Sequence, residues 1–472
     1  MTLNIPQLTA VAAAVPWLAC VMVYPRVLSI LVVLFALVQL NWFARYFGAP
    51  AMFSRISLVV AGLLGIRLII DFSFKKKYFA KEWLFLAPVL WLAYFFLVLT
   101  VCSNLFNGES LLLGVYELRY YFFGLVICFA LYFYFEDILT ISFFKQTMLW
   151  IGLLQVPFAI IEWIAAVGGR ARTLDSVTGT FSGYGELVAC QLLVICIVLY
   201  EEMTSKKKLL GVNNYLLCLI FVIPIILSKS RTATGFVILG FCFTWFLGSL
   251  QKKSLILVLK QTVPICLLGI TVFVLLYQFF WKPNYDINRQ FNLSYAFRYY
   301  MREPMMDYEN YQEGSDPVMG RGRAVVKAIH IISEHPINLI IGYGSGATAE
   351  ASFLGTNGLY YQRFGPLAGL GRNQYSRTIA EFGLLGMGGF IFFFATLYCR
   401  IKNSYMHKPE IKNIFILLLF SLILLSIYAF TLTSFFFSFT LAFFLATVQA
   451  DYDRINIPAS ITKDIKHVPE SI

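Results

Sequence analysis

Uninterrupted apolar runs of roughly 17–25 residues recur along this chain and restrict its fold more than any motif does. A helix of that length crosses about 30 Å of hydrocarbon. Lipid offers no hydrogen-bond partners, so each run must satisfy its own backbone, as a helix does. Strand-like alternation is absent, which argues against an outer-membrane barrel. Composition agrees: 59% of the 472 residues are hydrophobic and 13% are charged, whereas soluble chains carry about 25% charge. The expected fold is therefore all-α, a polytopic transmembrane helix bundle. Its spans fall near 8–23, 27–44, 56–72, 83–101, 115–135, 147–167, 184–200, 209–228, 232–250, 255–280, 378–399, 411–428 and 430–449. Tyr24, Pro25 and Arg26 divide the first two, which are short, so the total is about twelve to thirteen.

Orientation follows from lysine and arginine, which are enriched in cytoplasmic loops. Four lysine-rich loops (Lys75, Lys76, Lys77 and Lys81; Lys206, Lys207 and Lys208; Lys252 and Lys253; Lys402, Lys408 and Lys412) all fall on one side when the spans between them are counted. The tail 451–472 joins them inside. The outer face receives 102–114, 168–183, the link 228–234 and the long stretch 282–377. The same count puts the N-terminus outside, together with Arg45 and Arg55, against the lysine and arginine trend. Residues 1–7 carry no positive charge, so no removable signal peptide is read there. The nine cysteines lie in or beside apolar runs, and Cys190 and Cys196 read as packing residues rather than metal ligands.

The chain divides accordingly: ten spans in 1–281, an extracytoplasmic loop domain in 282–377, three spans in 378–450 and the tail. Within the loop, 281–319 is polar and lacks a period. Residues 320–341 read as one amphipathic helix with Val325, Val326, Ile329, Ile332 and Ile337 on its apolar stripe. Glu334-His335-Pro336 closes it, and Gly342-Tyr-Gly344-Ser-Gly346 turns the chain. A long insertion without hydrophobic bulk is usually functional.

Eight arginines in this loop face two lysines. They are Arg289, Arg298, Arg302, Arg321, Arg323, Arg363, Arg372 and Arg377, while Arg119, Arg170, Arg172 and Arg231 sit in or beside the other outer segments. A guanidinium fork stays charged and grips phosphate with two donors. A set of such forks at a membrane surface suits a lipid pyrophosphate. The plainer reading pairs them with the loop's acids, which nearly balance the charge. Arg231 resists that reading, because its link between two spans is tight and charge there is expensive. The net charge of +12 is mostly the lysine-loop bias plus the outer arginines, and no nucleic-acid partner is read from it.

Four patches in order resemble the O-antigen polymerase and O-antigen ligase superfamily of bacterial envelope glycan enzymes. Gly179-Thr-Phe-Ser182 is similar to its G-T-F patch, and Ser228-Lys-Ser-Arg231 to its S-x-S-R. Gly322-Arg323 through Glu334-His335-Pro336 to Gly342-Tyr-Gly344 resembles its arginine, helix, E-H-P and G-x-G run. Arg372-Asn373, nine residues and Gly383-Leu-Leu-Gly386 resembles its last patch. Arg172 to Gly183 and Arg372 to Gly383 also share an arginine, ten-residue, glycine spacing found in some of its polymerases. Ligases carry histidine where this chain has Arg372, so the resemblance favours a polymerase over a ligase and leaves the general base open.

The resemblance implies glycosyl transfer between polyprenyl-pyrophosphate-linked glycans at the periplasmic face of a bacterial inner membrane. Membrane lipid would surround the enzyme, and a chain-length regulator and a flippase would be pathway partners. The implied residues are Arg231, Arg372, Arg172, Arg323, Arg119 and Arg377 for the leaving pyrophosphate. Glu381, His335 and Glu186 are candidates for the proton acceptor, and Tyr360 and Tyr361 for stacking on sugar. Each has a plainer reading: Glu381 as a buried partner of Arg377, His335 as a helix-terminal histidine, the tyrosines as interfacial anchors. No cofactor is implied, and the arginines take a metal's place. Asp451-Tyr-Asp453 imitates the carboxylate pair of metal-dependent transferases but reads as solvated tail. No phosphate-cradling loop supports an ATP-driven pump. A transporter or flippase of lipid-linked glycan remains the alternative of another class, although no internal repeat is seen.

Overall fold

The computed structural model describes residues 22–38, 56–74, 82–167, 177–181, 183–228, 231–250, 321–351, 356–364, 373–426 and 434–456. Expected spans within these residues are helical. In chain order come α1 (Pro25–Leu37), α2 (Ile56–Phe74), α3 (Ala87–Asn107), α4 (Leu111–Glu117), α5 (Arg119–Phe135), α6 (Ile141–Val167), α7 (Tyr184–Thr204), α8 (Asn214–Leu227) and α9 (Arg231–Leu250). They are followed by α10 (Arg321–Ser333), α11 (Pro336–Ile341), α12 (Leu359–Phe364), α13 (Gln374–Ser404), α14 (Pro409–Ser426) and α15 (Phe435–Asn456). Among the described residues seven helices are long and apolar enough to cross a membrane, or eight when α4 and α5, bent by 42°, count as one span. Shorter apolar helices at α1, α8 and within α9 match three further expected spans. The protein is a polytopic helical bundle. Most of the span expected at 8–23, the span at 255–280 and the polar stretch 281–319 lie outside the described residues.

Helix α7 is the centre of one half. Its sequence is apolar all round, the pattern of a helix with no solvent- or lipid-facing side, and 83% of its apolar window is buried, against 28% for α3. Helices α6, α8, α9 and α14 surround it. Gly240 of α9 lets the backbones approach, since a Cβ there would fall 2.6 Å from Leu192. Helices α5 and α15 pack along each other in the second half, and α13 lies on α3.

The contacts sort the helix ends into two sets. Lys145, Lys206, Lys207, Lys208, Lys402, Lys408 and Lys412 belong to one end. There Lys145 Nζ donates to Glu201 at 2.5 Å and also to Glu410. Arg26 at the start of α1 reaches Asp137 at 3.5 Å at that same end, whereas Leu37 at its finish accepts from Thr180 Oγ1 at 2.7 Å at the other. Helix α1 therefore runs away from the lysine end, the direction the loop count requires.

Two expectations fail near the helix ends. Asp451 and Asp453 are not solvated tail, because α15 continues to Asn456. Asp453 is buried and accepts from the Tyr132 hydroxyl and from Gln449 Nε2 at 2.9 Å, while Asp451 pairs with Lys408 at 3.0 Å. Residues 320–341 are not one helix either. Proline lacks an amide hydrogen and suits the first turn of a helix, so Pro336 opens α11 after α10 has ended at Ser333. The stripe facing the core is Ala324, Ala328, Ile331 and Ile332, whereas Val326, Ile329 and Ile337 are exposed.

Gln449 holds the entry to α3. Its Oε1 accepts from Phe85 N at 2.9 Å, and its Nε2 donates to Glu82 O at 2.9 Å. Leucine would leave that buried amide without a partner, at about 2 kcal/mol. Gln449→Leu should lower the unfolding free energy of the detergent-solubilised protein by about that amount, and a loss below about 0.5 kcal/mol would show the contact to be immaterial.

Candidate functional site

At the end opposite the lysines, a broken helix builds the site. Asn373 caps α13, its side chain accepting from Ser376 N at 2.8 Å. Ten residues later Gly383 adopts φ 59°, ψ −156°, and the helix kinks there. That backbone region is almost exclusive to glycine. The kink leaves the Ala380 and Glu381 carbonyls available, and the amides of Tyr343 and Gly344 donate to them, each at 2.9 Å. Gly342 sits against this junction closely enough that a Cβ would fall 2.5 Å from Glu381 O. From the far side, Ser103 Oγ and Asn107 Nδ2 donate to Gly342 O at 2.9 and 3.1 Å, and Asn104 Nδ2 donates to Ser345 O at 3.1 Å. The glycine-rich turn is thus clamped between the last turn of α3 and the break in α13.

Four charges and two hydroxyls lie beside this clamp. Arg377 Nη2 donates to Glu117 at 2.7 Å, and its Nε donates to Glu381 at 3.2 Å. Arg119 Nη1 donates to Glu117 at 2.9 Å, and its Nη2 donates to the Tyr120 hydroxyl at 2.9 Å. Its guanidinium carbon stands 3.5 Å from the centre of the Tyr116 ring, a cation–π arrangement. Thr348 Oγ1 donates to Glu381 at 2.5 Å. Two carboxylates and two guanidiniums sum to zero charge, which is how a largely buried group of ions avoids an uncompensated desolvation cost. An incoming anion is held here only if it takes an arginine from a carboxylate.

Among the expected site residues, Arg119, Arg377 and Glu381 meet in this quartet. Arg323 is half-buried on α10, which packs on α13. His335 is exposed at the break between α10 and α11, where its carbonyl accepts from Leu339 N at 3.1 Å. Tyr360 is buried among Ala328, Ile332 and Ala380 with its ring 5.7 Å from that of Tyr343, so it packs the clamp rather than presenting a face to sugar. Tyr361 is half-buried. Arg231 opens α9, but its side chain lies outside the described residues, as do Arg172 and Arg372 altogether. Glu186 is half-buried and accepts from Ser434 Oγ at 2.5 Å.

Sequence reasoning missed Glu117 as a partner, Thr348 and the clamp residues Ser103, Asn104 and Asn107. The only sign was polar residues closing an apolar run. It also missed what holds the Gly-Thr-Phe patch. Glu162, fully buried, accepts from the amides of Thr178 and Gly179 at 2.6 and 2.7 Å, and Gln155 Oε1 accepts from Thr180 N at 2.8 Å.

Toward the middle of the bundle, Phe96, Tyr121, Phe382 and Phe390 form a ring cluster next to the quartet. Tyr121 and Phe390 also line an apolar cavity of about 70 Å³, together with Leu418, Phe437 and Leu445. Compared with known proteins, the chain matches no family model and no curated relative.

Proposed function

We propose that this protein polymerises polyprenyl-pyrophosphate-linked oligosaccharide repeat units at the outer face of a bacterial inner membrane. The observation that supports this reading most is the clamp. The G-x-G patch at Gly342–Gly344 and the Arg372–Gly383 patch each resemble the family, and Tyr343 and Gly344 of the first are hydrogen-bonded to Ala380 and Glu381 of the second beside Gly383's kink. The lysine end is the cytoplasmic side by the positive-inside tendency, so the clamp faces the periplasm.

In the proposed reaction the hydroxyl of one carrier-linked repeat attacks the anomeric carbon of the growing glycan on another carrier. The bond from that carbon to the pyrophosphate oxygen breaks, and the lipid pyrophosphate departs with the bonding electrons. Arg231, Arg372, Arg172, Arg323, Arg119 and Arg377 supply the cations that stabilise this charge. The acceptor proton passes to a carboxylate or imidazole within hydrogen-bond reach, for which Glu381 and His335 are the candidates. Half-buried Tyr361 is the candidate for sugar contact.

A deletion strain should carry surface lipid with a single repeat unit, visible as the loss of the ladder on a glycan gel. Arg231→Ala and Arg372→Ala should each fail to restore the ladder while the protein accumulates in the membrane. Normal long-chain glycan in both variants would overturn the reading. Polymer stranded on the carrier in the deletion strain would identify a ligase instead.

A further inference from the structure

At the lysine end of the bundle, two adjacent carboxylates of α7 have different fates. Glu201 is matched by Lys145. Glu202 is half-buried, and among the described residues it has no cation partner and accepts only from Asn214 Nδ2, at 2.9 Å. The same amide nitrogen donates to Lys207 O at 2.9 Å, which ties the exposed lysine turn 206–208 down beside Glu202.

Glu202 lines a cavity with Met203, Tyr215, Phe241 and Trp245, where the end of α7 meets the start of α8 and the second half of α9. The Phe241 and Trp245 rings are stacked with centres 6.4 Å apart. The indole N–H of Trp245 is buried and finds no acceptor among the described residues. A buried donor left that way costs about 1–3 kcal/mol. The cavity measures about 10 Å³, room for a single water-sized group.

Aromatic rings around a carboxylate without a counter-ion attract a cation, and a stranded N–H calls for an acceptor. A ligand that brings both is a zwitterion. The space admits a primary ammonium but not a trimethylammonium, and lysines beside it suit a phosphate. Tyr215 is 55% exposed at the start of apolar α8, and Leu219, one turn on along the same face, is 67% exposed. A tyrosine closing an apolar helix marks the level of lipid headgroups. We infer that this pocket binds the ammonium of a phosphatidylethanolamine headgroup from the adjoining leaflet, with the lipid phosphate beside the lysine turn 206–208. This inference stands whether or not the chain transfers glycan.

Native mass spectrometry of the full-length protein in detergent tests it, with dioleoyl phosphatidylethanolamine and dioleoyl phosphatidylcholine offered in equal amounts. Phosphatidylethanolamine should bind about tenfold more tightly. Glu202→Gln keeps an oxygen for Asn214 but loses the charge, and it should erase the preference. Tyr215→Leu, at an exposed and therefore tolerant position, should lower the preference by about threefold, and it decides alone if Glu202→Gln does not accumulate. Glycerophosphoethanolamine, the headgroup without its chains, should fail to displace the lipid at equal concentration. Equal binding of the two lipids to the parent protein, or a preference unchanged in the variants, overturns the inference. Displacement by the free headgroup overturns the assignment to the leaflet.

Discussion

Replacing Arg377 with methionine is expected to destabilise the protein by about 3–5 kcal/mol and to abolish glycan polymer. The guanidinium donates to Glu117 and Glu381, and the Glu381 side chain is only 3% exposed. Methionine fills much the same volume but leaves Glu381 facing Thr348 alone, a buried charge without its counter-ion. Glu117 keeps Arg119 and suffers less. The charge-balanced double variant Arg377→Met with Glu381→Gln separates structure from function. It leaves Arg119 and Glu117 as a closed pair, and removing both members of a buried ion pair is often close to neutral. Thermal unfolding in detergent should place it within about 1 kcal/mol of the parent, a strong coupling between the two sites. Its polymer should remain absent if Arg377 binds pyrophosphate or Glu381 takes the acceptor proton. A double variant that regains both stability and polymer would reduce Arg377 and Glu381 to a structural pair.

Why the sequence disclosed only half of this quartet is a matter of range. Arg377 and Glu381 are four residues apart, so helical geometry alone puts them on one face, and the pairing could be read directly. Glu117 is 260 residues from Arg377 in the chain, and no periodicity links them. The spans were readable because bilayer thickness imposes a length that composition reveals. The directions of the helices were readable because lysine loops mark one end. Asp453 shows the opposite case: a charge just past an apolar run looks solvated until Tyr132 of α5 is brought beside it. Pro336 reads in the sequence as a stop, whereas proline is equally a start, and α11 is the consequence. In the last patch Gly383, Gly386 and Gly388 look equivalent on paper, with Gly389 beside them. Of the four, only Gly383 takes a positive φ.

That distinction gives the second large expectation, a contrast between two alanine substitutions in one helix. Gly383→Ala forces a side chain into a backbone region that costs on the order of 1–3 kcal/mol for any residue but glycine. Its Cβ would also fall 2.5 Å from the Ile340 carbonyl oxygen, so the clamp must open or the helix must straighten. Either response breaks the bonds from Tyr343 and Gly344 to Ala380 and Glu381. Hydrogen exchange at those two amides should accelerate by about a hundredfold, the equivalent of roughly 3 kcal/mol, and the polymer ladder should disappear with the displaced quartet. Gly388→Ala meets nothing within 4 Å and keeps a helical backbone, so it should leave exchange at the clamp unchanged and raise stability by a few tenths of a kcal/mol. Equal behaviour of the two variants would mean that the kink is not what joins α11 to α13. The clamp would then have to be held from the α3 side alone, by Ser103, Asn104 and Asn107.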